Sequence, residues 1–510
     1  MLQIKNLSIT HKKDLRPLLD HFTFSLNSGD KAVIISEEGN GKSTLLKLIY
    51  DSRLVDSYVE YTGEILTQGT LMGYLPQEFP PEYKEQTIYT YCTSIPAFSD
   101  RNPGELAAIA ARLRLPKDIF YSDQLCGTLS GGEKVKLQIA GLQMCQPDIY
   151  LLDEPSNDID IETLEWLEQF INTCGKPVLY VSHDETLIEH TANVIIHLEQ
   201  IMRKTQPRHT IVRMPYREYI SNREASFLRQ EQQAQNERRE YRKKMERFRQ
   251  IEQKVESQQN NISRQDPFTA KLLKKKMKAV KAQEHRFERE KEDMTEMPDA
   301  EKAIFVKITP ETRIPNGKIV LDCQKERLMI EGRLLASPIF LRITGPEKIG
   351  IVGRNGAGKT TLLKQIAEEL LARPDLKAAY MPQDYEELLN LEQNPVDFLS
   401  SRGDKEERTT IRTYLGSMRY TADEMSHAIR ELSGGQKAKL LFLKMSLDGC
   451  NVLILDEPTR NFSPLSGPVI RQVLKEYPGA IISISHDRKY LEEVVDTTYE
   501  LKEQGMVKSN

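Results

Sequence analysis

The most constraining feature of this 510-residue sequence is a set of five short motifs that occur twice in the same order. Such an internal repeat fixes the number and order of domains before any local assignment is made. The motif pairs are SEEGNGKSTLLKLI (36–49) and GRNGAGKTTLLKQI (353–366), YLPQ (74–77) and YMPQ (380–383), LSGGEK (129–134) and LSGGQK (432–437), YLLDEPSN (150–157) and LILDEPTR (453–460), and VSHD (181–184) and ISHD (484–487).

The spacing of these motifs is as informative as their letters. In both copies 24 residues separate the leucine of the LSGG motif from the aspartate of the next motif. In both copies 29 residues separate the following glutamate from the histidine. The sequence therefore predicts two copies of one domain, at 1–205 and 298–510, joined by a linker at 206–297.

Each copy is predicted to belong to the α/β class. Apolar, β-branched runs at 32–35, 348–353 and 451–455 have the composition of buried parallel strands. A glycine-rich turn and then a helical run follow the first two. This order of elements is that of a P-loop NTPase domain, so the sequence predicts two such domains in tandem.

The first motif, GxxxxGK[ST] between a strand and a helix, is the phosphate-binding P-loop. Its glycines let backbone N–H groups close around phosphates, and the helix N-terminus adds a favourable dipole. In the first copy Ser36 replaces the first glycine, and Glu37 and Glu38 follow it. The predicted nucleotide-binding residues are Gly39, Asn40, Gly41, Lys42, Ser43 and Thr44, and Gly353, Asn355, Gly356, Ala357, Gly358, Lys359, Thr360 and Thr361.

Three further motifs supply what the attack of water on a phosphate needs. The aspartates are predicted to position Mg²⁺, and the glutamates after them to orient and deprotonate the water. The glutamines fit a contact with metal and water, and the histidines fit a hydrogen bond to the γ-phosphate. These residues are Asp153 and Asp456, Glu154 and Glu457, Gln77 and Gln383, and His183 and His486, with Ser43 and Thr360 as further Mg²⁺ ligands.

The LSGGE and LSGGQ motifs predict a second anion site in each domain. A serine and two glycines at a helix start present a hydroxyl and backbone N–H groups. One domain does not need two phosphate sites for one nucleotide, so each is expected to close over the nucleotide held by the other domain. The residues concerned are Ser130, Gly131 and Gly132, and Ser433, Gly434 and Gly435.

Taken together, the five motifs resemble those of ATP-binding cassette ATPases. The resemblance implies ATP and Mg²⁺ as cofactors, hydrolysis to ADP and phosphate, and two ATPs sandwiched between head-to-tail domains of a monomer. It also implies that Lys42 would work with Ser433, and Lys359 with Ser130. No tyrosine precedes either P-loop where the family stacks adenine, and His11 is the candidate in the first copy.

Composition predicts a soluble, cytoplasmic protein. The chain is 39% apolar and 29% charged, and no run of about 18 apolar residues occurs. The start MLQIKNLSIT lacks the basic and apolar regions of a signal peptide. Six scattered cysteines without a CxxC pair fit reduced thiols better than disulfides or zinc ligands.

The linker differs from the rest of the chain in charge and periodicity. Residues 223–292 contain 20 Lys and Arg against 12 Asp and Glu, a net charge of +8 in a chain of −4. Apolar residues recur every seven positions, which predicts two helices packed as an antiparallel hairpin with a break at Asp266-Pro267. The stripes are Phe227, Ala234, Tyr241, Phe248 and Val255, and Leu273, Val280, Phe287 and Met294.

The basic end of this hairpin is predicted to bind RNA. Seven basic residues and one acidic residue lie between Ser257 and Lys281, and such a surface suits RNA phosphates, with salt-dependent binding. An aromatic residue beside Pro267 could stack on a base or pack the turn. The predicted contacts are Arg264, Phe268, Lys271, Lys274, Lys275, Lys276, Lys278 and Lys281.

Two cassettes, a charged helical linker and no membrane span resemble the ABC-F class. This resemblance implies binding to the 70S ribosome, with the hairpin entering the E site toward the peptidyl-transferase centre and touching 23S rRNA and P-site tRNA. It implies neither membrane nor DNA as a partner. The second-copy stretch DEPTRNFSPLS (456–466) departs from the DEPTNHLD of housekeeping members. It resembles the antibiotic-resistance branch that protects against pleuromutilins, lincosamides and streptogramin A.

Three other functions stay open on the sequence. One is a housekeeping factor of the same class that acts on stalled or initiating ribosomes. Another is the ATPase subunit of a drug exporter, which leaves the hairpin unexplained. The third, a DNA-repair or chromosome-organising cassette ATPase, would carry much longer coiled coils or zinc modules inside a cassette.

Overall fold

The chain forms two compact units, which are described separately. One unit comprises Met1–Tyr216 with Glu301–Asn510 and contains both copies of the repeat, and the other comprises Arg217–Ala300. The computed structural model describes residues 2–37, 39–201, 206–260, 267–292, 294–295, 313–330 and 333–509.

The first domain is built on a six-stranded sheet of order β5-β6-β7-β3-β8-β9, with only the last pair antiparallel. A second, antiparallel sheet has the order β2-β1-β4. The strands are β1 (Leu2–His11), β2 (Pro17–Leu26), β3 (Lys31–Ser36), β4 (Val59–Leu66), β5 (Met72–Leu75), β6 (Ile149–Asp153), β7 (Val178–Val181), β8 (Val194–Ile201) and β9 (Gln206–Val212). The helices are α1 (Lys42–Tyr50), α2 (Ile88–Thr93), α3 (Pro103–Arg112), α4 (Gly131–Cys145), α5 (Ile161–Thr173) and α6 (Glu185–Thr191).

The linker contains two helices, α7 (Tyr216–Asn260) and α8 (Pro267–Glu292). At 1.5 Å per residue, the 45 residues of α7 extend about 68 Å.

The second domain repeats the main sheet in the order β15-β16-β17-β14-β18-β19, again with an antiparallel last pair. Its strands are β10 (Ile319–Lys325), β11 (Leu328–Ile330), β12 (Arg333–Ala336), β13 (Ile339–Thr344), β14 (Lys348–Val352), β15 (Ala378–Met381), β16 (Val452–Asp456), β17 (Ala480–Ile484), β18 (Thr497–Lys502) and β19 (Gly505–Ser509). Its helices are α9 (Lys359–Leu371), α10 (Pro395–Leu399), α11 (Lys405–Ser417), α12 (Gly434–Leu447), α13 (Gly467–Glu476) and α14 (Arg488–Glu493).

The identical strand order confirms two tandem copies of one α/β fold. The P-loop strands β3 and β14 lie between two parallel neighbours and are almost wholly buried, as their apolar sequences predict. Because both P-loops follow the carboxyl ends of these central strands, they lie where open parallel sheets bind their ligands.

The predicted end of the first domain at residue 205 is wrong. Strand β9 pairs antiparallel with β8, so the first sheet continues to Val212, and the helical unit begins at Arg217. Sequence reasoning missed β9 because it is an edge strand, half exposed, and contains Pro207, so it carries no apolar run.

Five of the nine predicted heptad residues form the core of the linker hairpin. Five apolar residues from the two helices form one buried cluster, and the rings of Phe248 and Phe287 meet edge to face at 5.7 Å. Toward the base of the hairpin, Glu237 accepts a 2.7 Å hydrogen bond from the backbone N–H of Thr295. From the first contact to the second, the residue number falls in α7 and rises on the α8 side, so the two arms of the hairpin are antiparallel. The cluster consists of Phe248, Val255, Leu273, Val280 and Phe287.

Among the described residues, no helix is both long enough and apolar enough to cross a membrane. Of the predicted RNA contacts, Arg264 lies outside the described residues, and Phe268 lies in the first turn of α8.

Candidate nucleotide sites

The two P-loops present uncapped helix starts. Gly41 and Gly358 precede α1 and α9 with φ angles of 83° and 92°, and neither helix has a side-chain cap. The backbone N–H groups of the first turn therefore point toward the loop, where a phosphate would satisfy them. The ammonium of Lys42 lies 3.3 Å from the carbonyl oxygen of Ser36, and that of Lys359 lies 2.8 Å from the oxygen of Gly353.

The replacement of the first glycine by Ser36 has a structural explanation. Gly353 has a φ angle of 148°, and a Cβ there would lie 2.7 Å from the carbonyl oxygen of Leu501. Ser36 instead remains within β3, paired with Leu198, and its hydroxyl donates to the carbonyl of Glu37 at 2.8 Å. The two P-loops thus enter their turns by different backbone paths.

The LSGGE motif of the first domain and the LSGGQ motif of the second are called the first and second signature motifs. The first cavity, of about 580 Å³, joins the first P-loop to the second signature motif. Ser433 of the second domain contributes to its wall, together with predicted residues of the first domain. Those residues are Gly39, Gly41, Lys42, Ser43, Thr44, Gln77, Glu154 and His183.

The second cavity, of about 490 Å³, joins the second P-loop to the first signature motif. Gly131 of the first domain contributes to its wall, and His183 reaches this cavity as well. The predicted second-domain residues on the wall are Asn355, Gly356, Gly358, Lys359, Thr360, Thr361, Gln383, Asp456, Glu457 and His486.

Not every predicted residue lines a cavity. The structure describes all the predicted residues of the two sites, and eight of them lie off both walls: Asn40, Ser130, Gly132, Asp153, Gly353, Ala357, Gly434 and Gly435. The signature glycines are explained by close packing. A Cβ on Gly131 would lie 2.1 Å from the carbonyl oxygen of Asp158, and one on Gly132 would lie 2.6 Å from Thr163.

The first glutamate and histidine form a tight pair. The Nε2 of His183 lies 2.7 Å from a carboxylate oxygen of Glu154, and its Nδ1 donates to the carbonyl of Phe462 in the second domain at 2.9 Å. Burial raises the pKa of Glu154, but His183 and Lys42 outweigh burial and hold it below the ordinary value. Glu154 is therefore a carboxylate at neutral pH.

The equivalent pair in the second domain is looser and less charged. His486 Nε2 lies 3.7 Å from Glu457, whose other oxygen accepts the His486 backbone N–H at 3.2 Å. Burial raises the pKa of Glu457 to about 8. Burial, with the nearby charge of Lys359, lowers the pKa of His486 to about 4. Both side chains are therefore mainly neutral at pH 7.

Both sites suit Mg²⁺ chemically. The Ser43 hydroxyl donates to Asp153 at 2.8 Å, which places two oxygen ligands side by side. Burial raises the pKa of Asp456, and a hydrogen bond from Thr360 partly offsets this rise. Among the described residues, no group pairs with the buried Oδ2 of Asp456 or the buried Oε2 of Glu154. Buried oxygens of this kind fit a hard cation and its water shell.

Asp158 and Arg460 are two of the pocket residues that the sequence did not predict. They form an ion pair of 2.8 Å between the domains, and Arg460 lines both cavities. The one sequence feature that pointed to Arg460 was the departure of residues 456–466 from the DEPTNHLD pattern. Near the first P-loop, His11 and Tyr58 also line the cavity, with ring centroids 6.3 Å apart, so Tyr58 joins His11 as a candidate base contact.

The comparison with protein families agrees with this geometry. The ABC transporter family matches residues 19–157 and 337–460, which together exceed half of the chain. The chain belongs to the ATP-binding cassette family. It is an ATPase, and the two cavities hold the family's motifs.

Matches to curated relatives extend across the linker. YheS of Escherichia coli K12, a probable ATP-binding protein, is 27% identical over 96% of this chain and 77% of its own length. The ribosome protection protein VmlR of Bacillus subtilis is 27% identical over 98% of this chain and 87% of its own length. These matches cover both cassette domains and the linker between them.

Solved structures support the fold. The archaeal ribosome recycling factor aABCE1, crystallised with the stalk protein aP1, has a TM-score of 0.59 at 17% identity, covering 98% of this chain and 89% of its own. A structure named RNase-L Inhibitor has a TM-score of 0.58 at 16% identity, covering 99% and 90%.

Proposed function

We propose that this protein is an ATP-dependent ribosome-binding factor of the antibiotic-resistance branch. The hairpin would enter the E site toward the peptidyl-transferase centre and displace bound drug. The observation that carries the proposal is the basic surface of α8. Six of its lysines are exposed: Lys271, Lys274, Lys275, Lys276, Lys278 and Lys281.

These lysines suit a polyanion. The neighbouring apolar residues Leu273 and Val280 are buried against α7, so the hairpin core orients the helix and the lysines stay in solvent. A rigid helical surface that presents many ammonium groups releases counterions from RNA phosphates on binding. The relative named a ribosome protection protein matches nearly the whole chain, linker included, and so supports the ribosome as the partner.

The chemistry of the cycle belongs to the two cavities. Lys42 and Lys359 would bind ATP phosphates. Ser433, on the wall of the first cavity, would close over the phosphates at Lys42, and Ser130 would do the same at Lys359 once the domains close. Bound Mg²⁺ would neutralise phosphate charge, with Ser43 and Asp153, and Thr360 and Asp456, as its ligands. Glu154 and Glu457 would take a proton from the attacking water. Hydrolysis would then separate the domains and release the ribosome.

Neutralising three lysines tests the RNA surface. Replacing Lys274, Lys275 and Lys276 with Gln is expected to weaken co-sedimentation with 70S ribosomes and to reduce the slope of log affinity against log salt by about 2. ATP affinity is expected to stay unchanged, because the cavities lie in the other unit. A matched control removes three exposed lysines of the second domain: Lys405, Lys475 and Lys508. Equal weakening by the control would count against the hairpin as the RNA contact.

Drug susceptibility separates the resistance branch from a housekeeping factor. YheS and VmlR are equally identical to this chain, so sequence similarity alone does not assign it to the resistance branch. Expression in a sensitive host is expected to raise the inhibitory concentration of a pleuromutilin, a lincosamide or a streptogramin A. Normal sensitivity to all three, together with ribosome binding, would favour the housekeeping function.

A further inference from the structure

The first P-loop contains an acidic residue, Glu37, that does not suit a phosphate-binding loop. It directly follows Ser36, at the motif position that Arg354 occupies in the second copy. The loop is expected to bind phosphates through backbone N–H groups and the ammonium of Lys42, and a nearby carboxylate opposes that binding. The charge of Glu37 therefore lowers the affinity of the first site for ATP unless a cation offsets it.

The second domain supplies such a cation. Nη1 of Arg419 lies 2.6 Å from a carboxylate oxygen of Glu37, although the two residues are 382 positions apart in the chain. Both side chains are only partly exposed, at 35% for the glutamate and 28% for the arginine. Because partly buried charges are screened less by solvent and salt, this pair neutralises Glu37 more effectively than a pair on an open surface would.

The ion pair lies beside the first ATP site and not within it. Glu37 and Arg419 line a third cavity, of about 320 Å³, and neither of them lines the first cavity. The two cavities share Gly39 of the P-loop and Ser433 of the second signature motif. Arg419 is therefore placed to affect ATP in the first cavity through Glu37, by the charge and the position of the P-loop that carries it.

The same positions in the second site cannot form this pair. Arg114 is the counterpart of Arg419, because each lies two residues beyond the end of a helix, α3 or α11, with a positive φ angle of 53° or 68°. In both turns the next N–H bonds to the carbonyl five positions back. The counterparts of the ion pair are thus two arginines, Arg114 and Arg354. Arg354 instead lies 3.3 Å from Glu162, on an exposed surface.

We propose that Arg419 is a positioning residue for the first ATP site, which neutralises and holds Glu37 in the P-loop of the opposite domain. The inference rests on the proposed ATP site and adds to it a residue outside the five repeated motifs. Removal of the arginine alone leaves an uncompensated carboxylate beside the phosphates, so ATP binds more weakly. Removal of both charges restores binding, because the repulsion is then absent.

The test is a double-mutant cycle on the full chain, measured by calorimetric titration with ATP and Mg²⁺. The parent carries Lys359→Ala, which confines binding to the first site, and Glu154→Gln, which keeps the ATP intact. Arg419→Gln is expected to weaken ATP binding about fivefold, the size of effect that a partly exposed charge produces. In a Glu37→Gln background the same replacement is expected to change the affinity less than about twofold. Arg419→Lys, which keeps the charge, is expected to bind ATP nearly as tightly as the parent.

Two controls separate the effect of charge from a general effect on structure. The loss in Arg419→Gln is expected to shrink at about 0.5 M salt, because the screening length falls to about 4 Å. Arg408→Gln breaks a 2.5 Å ion pair with Asp397 inside the second domain, off the walls of all three cavities, and is expected to leave ATP affinity unchanged.

Three results would each overturn the inference. They are an unchanged ATP affinity in Arg419→Gln, an equal loss with and without the Glu37 carboxylate, and an equal loss in Arg408→Gln. No ATP binding by the parent would instead refute the proposed first site.

Discussion

The two cavities share five motifs but differ in charge. In the first cavity Glu154 is ionised and paired at 2.7 Å with His183, both of whose ring nitrogens face acceptors. In the second cavity burial keeps Glu457 largely protonated and His486 neutral. The comparison teaches that a repeated motif fixes where a side chain lies, whereas the packing around it decides its protonation.

The signature motif that faces each cavity adds to the difference in charge between the two cavities. The second signature faces the first cavity and has Gln436, whose carbonyl oxygen accepts the Ser433 backbone N–H at 3.0 Å. The first signature faces the second cavity and has Glu133, whose carboxylate accepts both the N–H and the hydroxyl of Ser130. A carboxylate at this helix start repels the phosphate that the helix is expected to bind. We therefore expect the first cavity to be the faster of the two.

Single replacements of the glutamates should give the largest difference. Glu154→Gln is expected to lower ATP turnover at pH 7 about 100-fold, the usual contribution of a general base. Glu457→Gln is expected to lower it less than about threefold, because Glu457 is already mostly protonated there. Steady-state phosphate release measures both. Equal losses in the two variants would show that the cavities work alike.

The pH dependence of the slower cavity should sharpen the comparison. In the Glu154→Gln variant, turnover is expected to rise about tenfold from pH 7 to pH 9, since a base with a pKa of about 8 gains its charge over this interval. In Glu457→Gln the profile is expected to be flat, because the pKa of Glu154 lies below its ordinary value. Parallel profiles in the two variants would contradict the assigned protonation states.

Exchange of the signature residues should give the smallest effect. With Lys42→Ala to disable the first cavity, Glu133→Gln is expected to raise ATP affinity in the second about threefold to fivefold, as expected from a partly exposed charge. With Lys359→Ala to disable the second cavity, Gln436→Glu is expected to lower affinity in the first by a similar factor. Fluorescent nucleotide titration measures both. An unchanged ATP affinity in both variants would show that Glu133 and Gln436 do not contribute to the difference between the two cavities.

Much of the fold could be predicted because its signals are local. The P-loops and the strands before them are each encoded by a short, continuous stretch of sequence. The same is true of the heptad repeats that bring Phe248 against Phe287. The pair between Asp158 and Arg460 joins residues 302 positions apart, and no local pattern announces it. The same is true of Glu457, whose protonation depends on burial by side chains from distant segments.

The most direct test of the proposed function is co-sedimentation of the Glu154→Gln, Glu457→Gln double variant with 70S ribosomes, with and without ATP. The variant is expected to bind ATP without hydrolysing it, and therefore to pellet with ribosomes only when ATP is present. Absence from the ribosome pellet in the presence of ATP, with ATP binding intact, would contradict the account.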